Sequence, residues 1–303
     1  MTEISIYRKK STLLLPILIL SFFFNSCEDV IEIEIANTQS QLVVDAWLTN
    51  EDKLQTISLT QSQQYFENTT PIPVIGASVT INNNNGNSFE FLDDNNDGKY
   101  IWEPVMGEFF GSTDDEFILS IAINSELYHG VTKLKRVPII DSLIQEFREN
   151  EIFLDDGIYV EFFARDFSGT GDAYWIRSYK NGNYLGKASE LNIAYDSGFD
   201  SGSQIDGLIF IPPIREFINE IDDNNIDIPW KVGEVSRVEL HSLSLEAFNF
   251  LEITRDQINN GSNGIFSIPL ANTKSNITNT NANSPALGFF NIAAVSVKEI
   301  VIE

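Results

Sequence analysis

The sequence predicts a mainly β protein: an N-terminal immunoglobulin-like β-sandwich over 41–138, then a second β-rich, sandwich-like domain over 139–303 with one docked helix near 245–259. Three observations lead there. Short runs of alternating apolar residues recur at roughly ten-residue spacing after position 40, separated by Asn-, Asp- and Gly-rich breaks. Asn181-Gly182 lies between two alternating runs, a strong signal for a tight hairpin. Only the stretch after Ser244 combines helical spacing with residues that start and stop a helix.

The first domain reads as seven strands: "QLVVDAWLT", "QTISLTQSQ", "ASVTIN", "SFEFLDD", "KYIWE", "EFILSIAI" and "ELYHGVTKL". Seven short strands in about 100 residues is the density of an immunoglobulin-like sandwich. A boundary falls near "KRVPIIDSL", at Pro138. The apolar spacing of "IIDSLIQEF" fits a helix as well as a strand.

Strands resume at "GIYVEFFARD" and "AYWIRSYKNGNYL", and "EVSRVELHSLS" follows later. Between them, "YDSGFDSGSQIDG" is long enough to form a ligand or partner surface, or to be solvated slack. The helix has Ser244 as its cap and Glu246 in its first turn, with Phe248, Leu251 and Ile258 on one face. Arg255 stands near its end, and Gly261 can terminate it. The tail "GFFNIAAVSVKEIVIE" reads as a closing strand.

The first 26 residues read as an export signal. Arg8, Lys9 and Lys10 precede a twelve-residue apolar run, Leu13 to Phe24. Such a run is short of the roughly 20 residues that span a bilayer and suits a signal peptide. Phe24, Asn25 and Ser26 before Cys27 resemble a bacterial lipobox, in which the thiol receives a diacylglycerol and the chain is cut before it. Cys27, the only cysteine, is then an anchor and unavailable for disulfide, metal or nucleophilic chemistry. Glu28 and Asp29, with Glu32 and Glu34, resemble the acidic signals that send lipoproteins to the outer leaflet, and 27–40 becomes a lipidated acidic tether. The plainer alternative is a secreted chain with a solvated tail.

The formal charge is −25; removing the signal, which carries +2, leaves −27. That field repels phosphate and argues against nucleic acid or anionic lipid as a partner. An aromatic content of 12% with 22 Phe argues for a packed core. Asn-x-Ser/Thr sites at Asn68, Asn260 and Asn276 matter only in a eukaryotic secretory pathway, which the lipobox opposes.

Few constellations carry chemistry. In "DDNNDGKYIWE", Asp93, Asn95 and Asp97 alternate and Gly98 allows a sharp turn, as a Ca²⁺ loop needs. Position twelve is Pro104 where a bidentate Glu belongs, so a polar turn fits better and Ca²⁺ is the lesser reading. His129 and His241 stand apart in sequence, and no catalytic motif is present, so no enzyme and no other cofactor is expected. Trp102 and Trp175 read as core. Trp230, in a polar segment after Pro229, is the leading surface residue for stacking on a sugar or peptide, with Tyr195 and Tyr65 as further candidates.

The order of these segments resembles a known family. The lipobox Cys with its acidic start is followed by "LVVDAWLT", "GASVTI", "GKYIW", "PIIDSL", "YWIRSYKNG", "VGEVSRVELHSLSLEAFNFL", "FSIPLANTKSNI" and "LGFF". This resembles the outer-membrane lipoproteins grouped as domain of unknown function 4249, over nearly all of the mature chain. Members are often encoded beside TonB-dependent transporters. The resemblance therefore implies an outer-membrane lipoprotein facing the cell exterior, accessory to a TonB-dependent barrel in substrate capture, and supplies no catalytic residues. An autonomous surface binder of glycan or peptide is the alternative, and glycan hydrolysis by paired carboxylates a third. The Asn-rich "TKSNITNTNANSPA" is longer than the family pattern suggests.

Overall fold

The computed structural model describes residues 40–303 apart from 65–66, 68, 106, 153, 188–189, 201–204, 225, 261–271 and 282–284. Cys27, Glu28 and Asp29, together with Tyr65, Asn68 and Gly261, lie outside the described residues.

The seven expected strands form a two-sheet sandwich. Strands β1 (Leu42–Thr49), β2 (Gln55–Gln61) and β5 (Lys99–Trp102) lie side by side in one sheet. Strands β3 (Ser78–Asn83), β4 (Ser88–Phe91), β6 (Glu116–Ile123) and β7 (Glu126–Lys133) form the other in the order β7-β6-β3-β4. That division matches the immunoglobulin arrangement, with the fourth strand moved to the second sheet. Alternation makes the core: Val44, Ala46 and Leu48 of β1 face Phe117, Leu119 and Ile121 of β6, all 2% exposed or less.

The second half is built on β10 (Ala173–Lys180), flanked by β13 (Val235–Leu243) on one side and by β11 (Asn183–Tyr184) and β12 (Asn192–Tyr195) on the other. Asn181 and Gly182 both have positive φ, 52° and 80°, as the predicted two-residue hairpin turn requires. A two-stranded ladder of β8 (Ile140–Arg148) and β9 (Gly157–Ala164), with the short helix α1 (Pro212–Glu216), closes a second core around Phe162, Tyr174, Phe210 and Leu240.

The ambiguous "IIDSLIQEF" is thus strand β8. Its register shifts between Ile140 and Ser142, so Ile140 and Leu143, three apart, are both buried. The bulge gives a strand a helix-like spacing.

The helix α2 (Leu245–Asn260) forms as predicted, and the Ser244 hydroxyl accepts from the Ala247 N–H at 3.1 Å. Its buried face is shorter than expected. Phe248 and Leu251 pack, whereas Ile258 is 49% exposed.

The domain boundary requires correction. The closing tail is two strands, β15 (Leu287–Ala293) and β16 (Val295–Val301), separated only by Ala294. β15 runs parallel to β1 in the first sandwich, while β16 runs antiparallel to β13 in the second sheet. Within the Asn-rich segment, β14 (Ile277–Asn279) pairs with β7. Strands β14 and β15 therefore belong to the first sandwich, not to a domain spanning 139–303. Each added strand covers an edge that would otherwise present free N–H and C=O groups.

Gly288, opposite Val44 in this parallel pair, has φ +87°, and a Cβ there would collide with the Val44 carbonyl. Gly288→Ala should cost about 3 kcal/mol or more. The control Gly182→Ala, with open space around its Cβ, should cost about 1 kcal/mol. Urea denaturation compares them; equal costs would contradict the close approach.

Candidate functional site

A polar pocket of about 590 Å³ opens at one end of the first sandwich. The turn joining β3 to β4 makes one wall, and the segment from Gly107 to Ser112 the other. Asn83 ties the walls together: its amide donates to the Phe110 carbonyl (3.1 Å) and its Oδ1 accepts from the N–H groups of Asn85 (3.1 Å) and Asn87 (2.9 Å). Phe110 is fully buried, with ring centroids of Trp102 and Phe89 at 4.6 and 4.8 Å. Asp115 accepts from the Ser112 N–H (2.8 Å) and Asp52, in the β1–β2 loop, from that of Gly107 (3.3 Å). Beside these anchors the Phe109 ring stands 52% exposed. Among the described residues, no Lys, Arg or His lines the pocket.

The second notable region is the seam where the two halves meet. Trp47 of β1 stacks on Phe289 of β15 (5.5 Å) and meets Trp175 of β10 edge-on (5.4 Å). The Arg177 guanidinium lies 4.9 Å from the Trp175 ring and 4.4 Å from that of Tyr184. Beneath it, Glu239 is 4% exposed and accepts from Arg237 (2.7 Å), His241 Nε2 (2.9 Å) and the Tyr179 hydroxyl (3.1 Å). Burial alone would raise the Glu239 pKa; the hydrogen bonds from His241 and Arg237 outweigh it and hold the pKa down to about 2. Burial lowers the His241 pKa, so this neutral ring donates its Nε2 proton to Glu239. The cavity here, about 10 Å³, has room for one water rather than a ligand.

The residues singled out from sequence fall in different places. Trp230 is a correction: it is 3% exposed, packs in the second core, and donates its Nε1–H to Asn219 at 2.8 Å. Its polar neighbours misled because one of them, Asn219, is itself buried in that core and bonds the indole. Tyr195 is half-buried against Phe248 (5.9 Å) in a different cluster, so Trp230 and Tyr195 do not form one platform. Trp102 is core, and Trp175 belongs to the seam. His129 bonds Ser120 at 3.1 Å.

Asp93, Asn95 and Asp97 lie in the turn between β4 and β5. Both Asp93 oxygens accept backbone N–H groups, from Asp97 (3.1 Å) and Gly98 (3.0 Å), and Asp97 accepts that of Lys99 (3.1 Å). Sequence spacing missed another acidic group. Carboxylate oxygens of Asp166, Asp196 and Asp206 lie within 4.8 Å of one another. Each also holds a loop: Asp166 accepts from the Tyr174 hydroxyl (2.6 Å), Asp196 from the N–H of Gly171 (2.8 Å), and Asp206 from that of Gly169 (3.1 Å). Burial pushes the Asp166 pKa up. The described part of "YDSGFDSGSQIDG" is accordingly not slack: Asp196 and Ser197 are buried, and the Ser197 hydroxyl donates to the Leu208 carbonyl (2.8 Å).

The family model described as a domain of unknown function, DUF4249, matches residues 28–299. No curated protein matches the chain.

The seam yields a pH prediction. The Glu239 pKa is below its unfolded value of 4.5, so its stabilisation is complete above that pH and lost as pH falls toward about 2. Glu239→Gln should therefore cost about 3 kcal/mol near neutral pH, and the deficit should shrink at about pH 3. Urea titrations at the two pH values measure it; an equal deficit at both would contradict the charged seam.

Proposed function

The chain belongs to the DUF4249 family, and on that premise we propose that it is a lipid-anchored, non-enzymatic protein of the outer membrane, facing the cell exterior. It serves as an accessory surface subunit of a TonB-dependent transporter and helps to capture substrate. The carrying observation is Cys27, the only cysteine, placed between a twelve-residue apolar run and an acidic one. The family match begins at residue 28, the position after that cysteine, which supports a mature chain starting at Cys27. Several acyl chains on one cysteine meet the requirement for stable attachment, since each buried CH₂ contributes about 0.8 kcal/mol. The frequent gene neighbourhood of family members with TonB-dependent transporters supports the partner.

A second reading, an autonomous surface binder of glycan or peptide, is favoured by the pocket at the end of the sandwich. It needs no barrel, since the pocket is complete within this chain.

Cys27→Ala should move the protein from the membrane fraction to the soluble fraction without changing its melting temperature; retention in the membrane would contradict the anchor. Protease added to intact cells should digest the wild-type chain. Protection until the outer membrane is permeabilised would instead put it on the periplasmic face.

A further inference from the structure

The pocket at the end of the sandwich also carries its own chemistry, and we infer that it binds a neutral glycan. The inference deepens the capture role proposed above and rests on it, but needs neither the lipid anchor nor a barrel partner.

Size and rigidity come first. A cavity of about 590 Å³ falls within the range of small-molecule sites and admits a short oligosaccharide. Its walls are already fixed by Asn83, by Asp52 and Asp115, and by the buried Phe110 ring. A preformed wall spares the ordering cost that weakens binding by mobile loops.

The lining then selects the ligand. Asn83 engages only backbone groups of these residues, the N–H of Asn85 and the N–H and carbonyl of Asn87, leaving both exposed side-chain amides free to face a ligand. An amide offers donors and an acceptor together, which suits hydroxyl groups, since each hydroxyl both donates and accepts. The exposed Phe109 ring offers a flat apolar face for the C–H side of a sugar ring. Charge excludes anionic ligands. Glu108 and Asp115 line the pocket without a base, on a chain of net charge −25, so an anionic ligand is repelled. The walls are chiefly a turn and a loop; of the edge strand β4 only Ser88 and Phe89 line the pocket, a stretch too short for an extended peptide to pair along.

Position agrees. The Asp52–Gly107 bond puts the pocket at the β1–β2 end of the sandwich. The chain enters the sandwich at Leu42, the other end of β1, roughly 25 Å away at strand rise.

The test is calorimetric titration of the purified full chain in detergent with maltohexaose, cellohexaose, xylohexaose, mannohexaose and chitohexaose, with polygalacturonate as the anionic comparison. At least one neutral oligosaccharide should bind at micromolar to millimolar concentration, and polygalacturonate should not. Phe109→Ala should weaken that binding about tenfold, the loss of one stacked ring. Asn87→Ala should weaken it as well, and both variants should melt with the wild type because the altered side chains are exposed. The inference is overturned if no neutral oligosaccharide binds at millimolar concentration, if the anionic polymer binds in preference, or if binding persists unchanged in both variants. Sugar binding without barrel association would remove only the partner; barrel association without sugar binding would remove only this inference.

Discussion

The structure depends on one covalent constraint: two consecutive strands that share a single connecting residue belong to different sheets. β15 completes the first sandwich beside β1 and β16 completes the second sheet beside β13, with Ala294 between them. Ala294 is held on both sides, donating its N–H to the Ser242 hydroxyl (2.9 Å) while its carbonyl accepts from the Ser242 N–H (3.0 Å). A parallel pair such as β1–β15 requires a crossover, and here the crossover is almost the entire chain. Neither half is complete until the last strands arrive, so folding is dominated by contacts of high sequence separation.

Around that crossing the molecule buries a cluster of aromatic rings and the carboxylate of Glu239. The rings of Trp47, Trp175, Phe250 and Phe289 fill the seam, and Glu239 is admitted because three donors meet it there. The acidic composition has a parallel local logic. Asp93, Asp115, Asp166, Asp196, Asp206 and Asp222 each accept backbone N–H groups in turns and loops. These six carboxylates are thus committed to shaping loops, the role for which short carboxylates suit turns. The pocket at the sandwich end is shaped in that way, by Asn83, Asp52 and Asp115.

Local pattern made the fold largely legible. Period-two alternation marked β1 to β7, positive-φ chemistry marked Asn181-Gly182, and capping chemistry marked α2. What escaped was long-range. Nothing in "GFFNIAAVSVKEIVIE" distinguishes the sheet of Phe290 from that of Val297, because both strands alternate and the switch at Ala294 leaves no turn residue. β8 escaped because its bulge mixes two periods. At the site, Trp230 was misjudged from polar neighbours, one of which, Asn219, is buried beside it, and the Asp166, Asp196 and Asp206 group joins segments some 30 to 40 residues apart. The pocket was not legible: its "NNNNGN" wall reads only as one of the polar breaks between strands, and its pairing with the Phe109 segment is a tertiary fact.

The proposed role is that of an anchored subunit working beside a transporter barrel. The most direct measurement is gentle detergent extraction of outer membranes, capture through a tag following Glu303, and identification of what comes with the chain. A TonB-dependent barrel protein recovered in stoichiometric amount and surviving moderate salt is the predicted result. Recovery of this chain alone, from membranes that contain the barrel, would contradict it.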